Sequence, residues 1–259
     1  MVNFIYDLLA RNATLFYFGL ACLVFAGVCL LLTRLTNTQV YGVNAWYKPF
    51  KFAASIGTYS WTMGWYCHYL PGFNTVPFNW VVLLLFGFEV VYIALQAGRG
   101  QTSHFNTSKP VYGALYAAMG IAATLVTLYT AYVALLFFAQ PLNAFPTLPG
   151  YYVWGIRLGL LIFVVFSFQG FAMGSRMSHS VGTVNDNSNL FVVGWSRTVG
   201  DLRVAHFIGM HALQVLPQLA FYVLQNTTAT LVTAGLYGLL ATATWRQALQ
   251  GKPLFKQAK

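Results

Sequence analysis

"ATLFYFGLACLVFAGVCLLLT", residues 13–33, is 21 residues long and contains no charge. An α-helix rises ~1.5 Å per residue and the hydrocarbon core of a bilayer is ~30 Å thick, so ~20 apolar residues in a row cross it. Asp7 and Arg11 precede the run and Arg34 follows it. The apolar core of a cleavable signal is shorter, so the run is expected to be a retained membrane span.

Six further apolar runs follow, at about residues 49–70, 78–98, 112–139, 152–174, 201–224 and 228–246. Turn-forming stretches such as "LPGFNTVP" and "QPLNAFPTLPG" separate them. The chain of 259 residues is 58% hydrophobic and only 7% charged, against about 25% charged in an ordinary soluble domain. Too few charges remain to cover a water-exposed surface. The expectation is an all-α integral membrane protein: one polytopic domain over residues 1–259, built as a bundle of seven transmembrane helices.

The net charge of +10 sets the orientation. Arg34, Lys48 and Lys51 flank the first connection, Arg99 and Lys109 the third, and Arg176, Arg197 and Arg203 the fifth; Arg246, Lys252, Lys256 and Lys259 fill the tail. Twelve of the fourteen Lys and Arg thus fall on one side, which the positive-inside rule makes cytoplasmic. The N-terminus is then outside and the C-terminus cytoplasmic, in a plasma membrane or bacterial inner membrane. The expected partner of these charges is the lipid bilayer and not nucleic acid. Asn12 and Asn226 lie in N-x-[ST] sequons on the outer side. Cys22, Cys29 and Cys67 form no metal or disulfide pattern and read as packing residues.

Polar residues inside the runs locate a candidate site. "GDLRVAHFIGMHALQVLP", residues 200–217, carries Asp201, Arg203, His206, His211 and Gln214 in a chain with five histidines. At ~100° per residue, Arg203, His206, His211, Gln214 and Gln218 share an arc of roughly 140°. Leu202, Ala205, Ile208, Gly209, Ala212, Leu216 and Leu219 lie opposite. Hydrocarbon does not satisfy such a polar face, so it is expected to line the bundle interior or a wet cavity. The third run carries Glu89, the one carboxylate in the middle of any span, followed on the same face by Tyr92 and Gln96. If that helix continues past Arg99, Ser103 joins the face and His104 sits at its edge. Glu89 is about 15 Å from the level of Arg99, and His211 about 12 Å from that of Arg203. Depth therefore matches Glu89 with His211, and Gln96 with His206.

Intramembrane ionisable residues mark functional sites by default. The leading expectation is a metal-dependent membrane enzyme, with Glu89 and His211 as catalytic residues. Zinc or iron would be held by His104, His206, His211 and Glu89, because imidazole and carboxylate suit these metals. Arg99, Arg203, Gln96 and Gln214 would bind a lipid, quinone or small anion at the cytoplasmic side. Haem b between His104 and His206 is the first alternative, and a proton-coupled transporter or channel the second; whether the protein is an enzyme stays open. Seven spans with cytoplasmic-side histidines are similar to ceramidase and adiponectin-receptor-like hydrolases. The HxxxH spacing of those proteins is absent here, and that family is not assigned. A retinal protein is argued against because no lysine lies between Thr228 and Thr244.

Overall fold

The computed structural model describes residues 2–183, 190 and 192–255. Its residues gather into two compact units, Met1–Tyr129 and Thr130–Lys259.

The first unit begins with a helix that the sequence reading did not anticipate, α1 (Val2–Arg11). It is short and amphipathic, with Leu8 fully buried. Asn12 separates it from α2 (Ala13–Leu35). The Asn12 side chain accepts from Leu15 N, capping α2, and exchanges two amide hydrogen bonds with Asn79, at 2.9 and 3.0 Å. An N-cap oxygen satisfies one of the orphan N–H groups at a helix start. The sequon at Asn12 is thus occupied by structure: the side chain is 5% exposed and both ends of its amide are engaged.

After α2 the strands β1 (Gln39–Val40) and β2 (Val43–Asn44) pair antiparallel. Tyr41 and Gly42 between them both have positive φ, 52° and 71°, as the tightest hairpin turn requires. Asn44 turns back and donates to the carbonyls of Thr33 and Thr36, covering the end of α2. Helix α3 (Tyr47–Cys67) packs on α2 where Gly19 and Gly57 meet; a Cβ on Gly57 would lie 2.9 Å from the Gly19 carbonyl oxygen. Cys22, Ala26, Ala53, Ile56 and Val90 form the core that joins α2 and α3 to α4 (Thr75–Gly98). Helix α5 (Pro110–Ala139) carries the chain from the first unit into the second.

The second unit contains α6 (Gly150–Gln169), the short α7 (Phe171–Ser175), α8 (Leu202–Leu219) and α9 (Thr227–Leu249). Strands β3 (Ser180–Val181) and β4 (Gly200–Asp201) pair antiparallel at the approach to α8. Small residues let α6 and α8 touch closely. Gly155 and Gly159 lie four apart on α6, and a Cβ on Gly159 would stand 2.8 Å from the Ala212 carbonyl oxygen. A Cβ on Gly209 would run into the Phe166 ring. Small residues spaced this way are the usual means of close helix approach in lipid. Arg157 is 5% exposed and donates to the carbonyls of Phe137 and Gln140, so it caps the end of α5. Pro217 removes one donor from the α8 ladder, and the chain continues as a π-helical turn, Ala220–Leu224, closed by Gln225 at φ 47°.

Each expected run falls on helix, with ends displaced by five residues or fewer; the runs at 152–174 and 201–224 continue beyond α6 and α8 as the short α7 and the π-helical turn. Among the described residues five segments are long and apolar enough to cross a membrane: Ala13–Leu35, Thr75–Gly98, Pro110–Ala139, Gly150–Ser175 and Leu202–Leu224. Helices α3 and α9 are 21 and 23 residues long. They are more polar, through Lys48, Lys51 and Thr58 in one and Thr242, Thr244 and Arg246 in the other.

Candidate functional site

In the first unit, α4 places Glu89, Tyr92 and Gln96 on one buried face, at 5%, 7% and 1% exposure. Three- and four-residue steps along a helix return to the same side. Glu89 makes no hydrogen bond or ion pair among the described residues. Gln96 is held by its amide nitrogen, which donates to the Tyr92 hydroxyl at 3.2 Å and the Thr102 carbonyl at 3.3 Å. A carbonyl accepts but does not donate, so Thr102 fixes which end of the amide is nitrogen. The Gln96 oxygen is left buried without a donor.

The continuation of α4 past Arg99, on which Ser103 and His104 would join its polar face, does not occur. Gly100 adopts φ 65°, and the N–H groups of Gly100 and Gln101 return to the carbonyls of Ala97 and Gln96. This is a glycine-terminated helix end that reverses the chain. Ser103 and His104 therefore lie on a loop and not on the α4 stripe. His104 is half-buried among the rings of Phe52, Phe105 and Tyr116, and its Nδ1 is 3.2 Å from the Ser103 hydroxyl. Burial, and next the charge of Lys48, hold its pKa well below the usual histidine range. His104 rests as a neutral imidazole. Arg99 is exposed beside α4's end.

In the second unit the small-residue face of α8, with Ala205, Gly209, Ala212 and Leu216, is the buried one. It packs against α6 and α9. His206 and His211 are half-buried and Gln218 is exposed. Nδ1 of His206 lies 2.7 Å from the Phe166 carbonyl oxygen, so that nitrogen carries the proton and Nε2 is the basic one. His211 stacks edge-on against Phe207 at 4.2 Å and hydrogen-bonds with Gln214.

Arg203 faces its own helix start. It forms a bidentate pair with Asp201, through Nε at 2.9 Å and Nη2 at 2.6 Å, and Nη2 also donates to the Gly194 carbonyl. Asp201 caps α8 by accepting from Arg203 N, and accepts from Ser196 N as well. Burial of this carboxyl works against ionisation. The hydrogen bonds and charge of Arg203, the Ser196 N–H and the charge of His179 outweigh it, and the pKa lies below the usual aspartate range. The arginine expected to meet a ligand is thus engaged by a carboxylate two residues away.

Among the described residues no three His, Cys, Asp or Glu side chains gather into a group that could hold a metal ion. The set of His104, His206, His211 and Glu89 has no support as a zinc or iron site. The sequence reading passed over Gln169 and Trp245, whose Oε1 and Nε1 are buried without partners, and Asp201 as the anchor of α8. The four-residue spacing of Gly155 and Gly159 was the available signal for the α6–α8 contact. Gln169 and Trp245 carried none beyond being polar in apolar runs. A scan against protein-family models, a search of curated proteins and a search of solved structures each return no match.

Proposed function

We propose that the chain is a seven-span membrane protein with an external N-terminus and a cytoplasmic C-terminus, acting as a proton-coupled transporter or channel. The observation that carries this reading is Glu89: a carboxyl 5% exposed, in the middle of an apolar helix, with no donor or cation bound to it among the described residues. Enclosed in hydrocarbon, such a group favours its neutral form, and it releases a proton when water or a cation reaches it. That cycle is what a proton-coupled carrier uses. In this reading the basic rim at Arg99 and Lys109 draws an anionic solute. No group of three potential ligands among the described residues supports an enzyme built on zinc or iron.

The test is reconstitution in liposomes carrying a pH-sensitive dye, with an imposed proton gradient and small organic anions supplied outside. The wild type should acidify the lumen in an anion-dependent way, and Glu89→Gln should remove most of that flux. Equal flux in Glu89→Gln would end this reading. Topology is tested separately: a reporter after Lys259 should report cytoplasm and one before Met1 the exterior.

A second reading, haem b ligation by His206, is favoured by one observation. Ligating histidines donate their other ring N–H to a carbonyl, as His206 does to Phe166. His211, ~140° further round the same helix, does not supply the opposite axial ligand. A Soret band in the purified protein, lost in His206→Ala, would establish that reading instead.

A further inference from the structure

A groove of about 500 Å³ runs between α4 and α5 within the first unit. Ligand pockets generally fall in the range of ~300–1,000 Å³. Its floor on α4 is an apolar stripe, Leu84, Phe88, Val91 and Leu95, and it ends at Tyr92, Gln96, Arg99 and Tyr112. From Leu84 to Arg99 is ~22 Å along the helix, longer than the ~15 Å of one hydrocarbon leaflet. A polar end and an apolar run of leaflet length suit a molecule with a head and an acyl chain.

The polar end specifies the head further. The Arg99 guanidinium is exposed and makes no hydrogen bond or ion pair among the described residues, so it offers donors and a positive charge to an anion. The Gln96 oxygen is the opposite case: an acceptor, 1% exposed, lining the groove with no donor of its own. Leaving it so costs desolvation, which a ligand N–H or O–H would recover. The occupant therefore needs an anionic group and a donor in the same head. A quinone brings acceptors only, and a fatty acid or phosphatidylcholine brings an anion without a donor.

We propose that the α4–α5 groove is a binding site for a phospholipid with a donor-bearing headgroup, its phosphate on Arg99 and its headgroup ammonium or hydroxyl donating to Gln96, with one acyl chain along Leu95, Val91, Phe88 and Leu84. Arg99 also belongs to the rim of the proposed transporter, but Glu89 does not line the groove, so lipid retention and Glu89-dependent proton flux are read separately.

Native mass spectrometry of the full chain in mild detergent tests it, with phosphatidylethanolamine and phosphatidylcholine of identical acyl chains. Both are zwitterionic, so the comparison isolates the donor. The wild type should retain the ethanolamine lipid on the order of tenfold over the choline lipid, the worth of one hydrogen bond from a charged donor. Gln96→Leu should abolish that preference. Arg99→Ala should lower retention of both lipids by on the order of tenfold, the worth of one charge-assisted hydrogen bond. Arg99 is exposed and unpaired, so this variant should fold even if Gln96→Leu does not. Equal retention of the two lipids by the wild type, unchanged retention in Arg99→Ala, or displacement of lipid by inorganic phosphate or by a quinone would each overturn the proposal.

Discussion

Replacing Asp201 by alanine should destabilise the second unit more than any other single loss of a polar side chain in α8. The carboxylate is 2% exposed and accepts four hydrogen bonds: from the backbone of Ser196 and Arg203, and from Nε and Nη2 of Arg203. Removing a helix cap costs about 1 kcal/mol. Breaking a buried pair and leaving the other charge behind costs ~3–5 kcal/mol. The two share atoms and do not add in full, and Arg203 is itself only partly buried, so a net loss of about 3 kcal/mol is expected. For a chain of this size that is a fall in Tm on the order of 10 °C. Thermal unfolding in detergent, followed by circular dichroism, measures it. Arg203→Ala and the double variant complete a cycle, in which a coupling of at least ~1 kcal/mol is expected. The pH dependence is a further check. The Asp201 pKa is depressed in the folded state, so its contribution is present above the unfolded value of ~3.9 and fades as pH falls below it. Unchanged melting of Asp201→Ala at neutral pH, or no coupling with Arg203, would refute the assignment of Asp201 as the anchor of α8.

Three other outcomes follow from the same packing. Folded His104 resists protonation, so below about pH 6.5 the unfolded chain gains a proton that the folded one does not. Stability should fall by up to ~1.4 kcal/mol per pH unit in that window, and His104→Phe should flatten the slope; an equal slope in the variant would remove His104 as the cause. Gly209→Ala should cost roughly 1–3 kcal/mol, because the new Cβ meets the Phe166 ring. Gly235→Ala, whose Cβ meets nothing within 4 Å, should be neutral or stabilising by up to about 1 kcal/mol; thermal melts of the two side by side decide it.

The helices were legible because membrane spans announce themselves by length and by lack of charge, and each expected run is a helix. The stops were harder to read. Gly100 ends α4 through a left-handed backbone that a glycine permits and does not demand, so the sequence left open whether the helix ran on to Ser103 and carried His104 at the edge of its polar face. The α8 wheel was correct as geometry, but the reading turned its polar face to the bundle interior, whereas the small-residue side is the one that packs on α6. What each polar side chain does there was not legible, because that depends on neighbours distant in sequence: the Phe166 carbonyl for His206, and the Gly194 carbonyl for Arg203. Arg157 shows the same limit. It is one of the two basic residues outside the twelve on the expected cytoplasmic side, and it closes the end of a helix that finishes 18 residues earlier.

The π-helical turn at Ala220–Leu224 has a consequence for chain length. A π turn holds one residue more than the α turn it replaces, and Gln225 bonds back to Ala220 five residues before it. Most positions in a packed helix tolerate no deletion, because every later side chain rotates by ~100°. Here a residue can be lost and the slack taken up on the spot, the wider turn closing into an ordinary one while Asn226 still caps α9. The C-terminal end of α8 is thus an expansion joint, the place where this unit should absorb a change in length that the glycine-packed stretch before it does not.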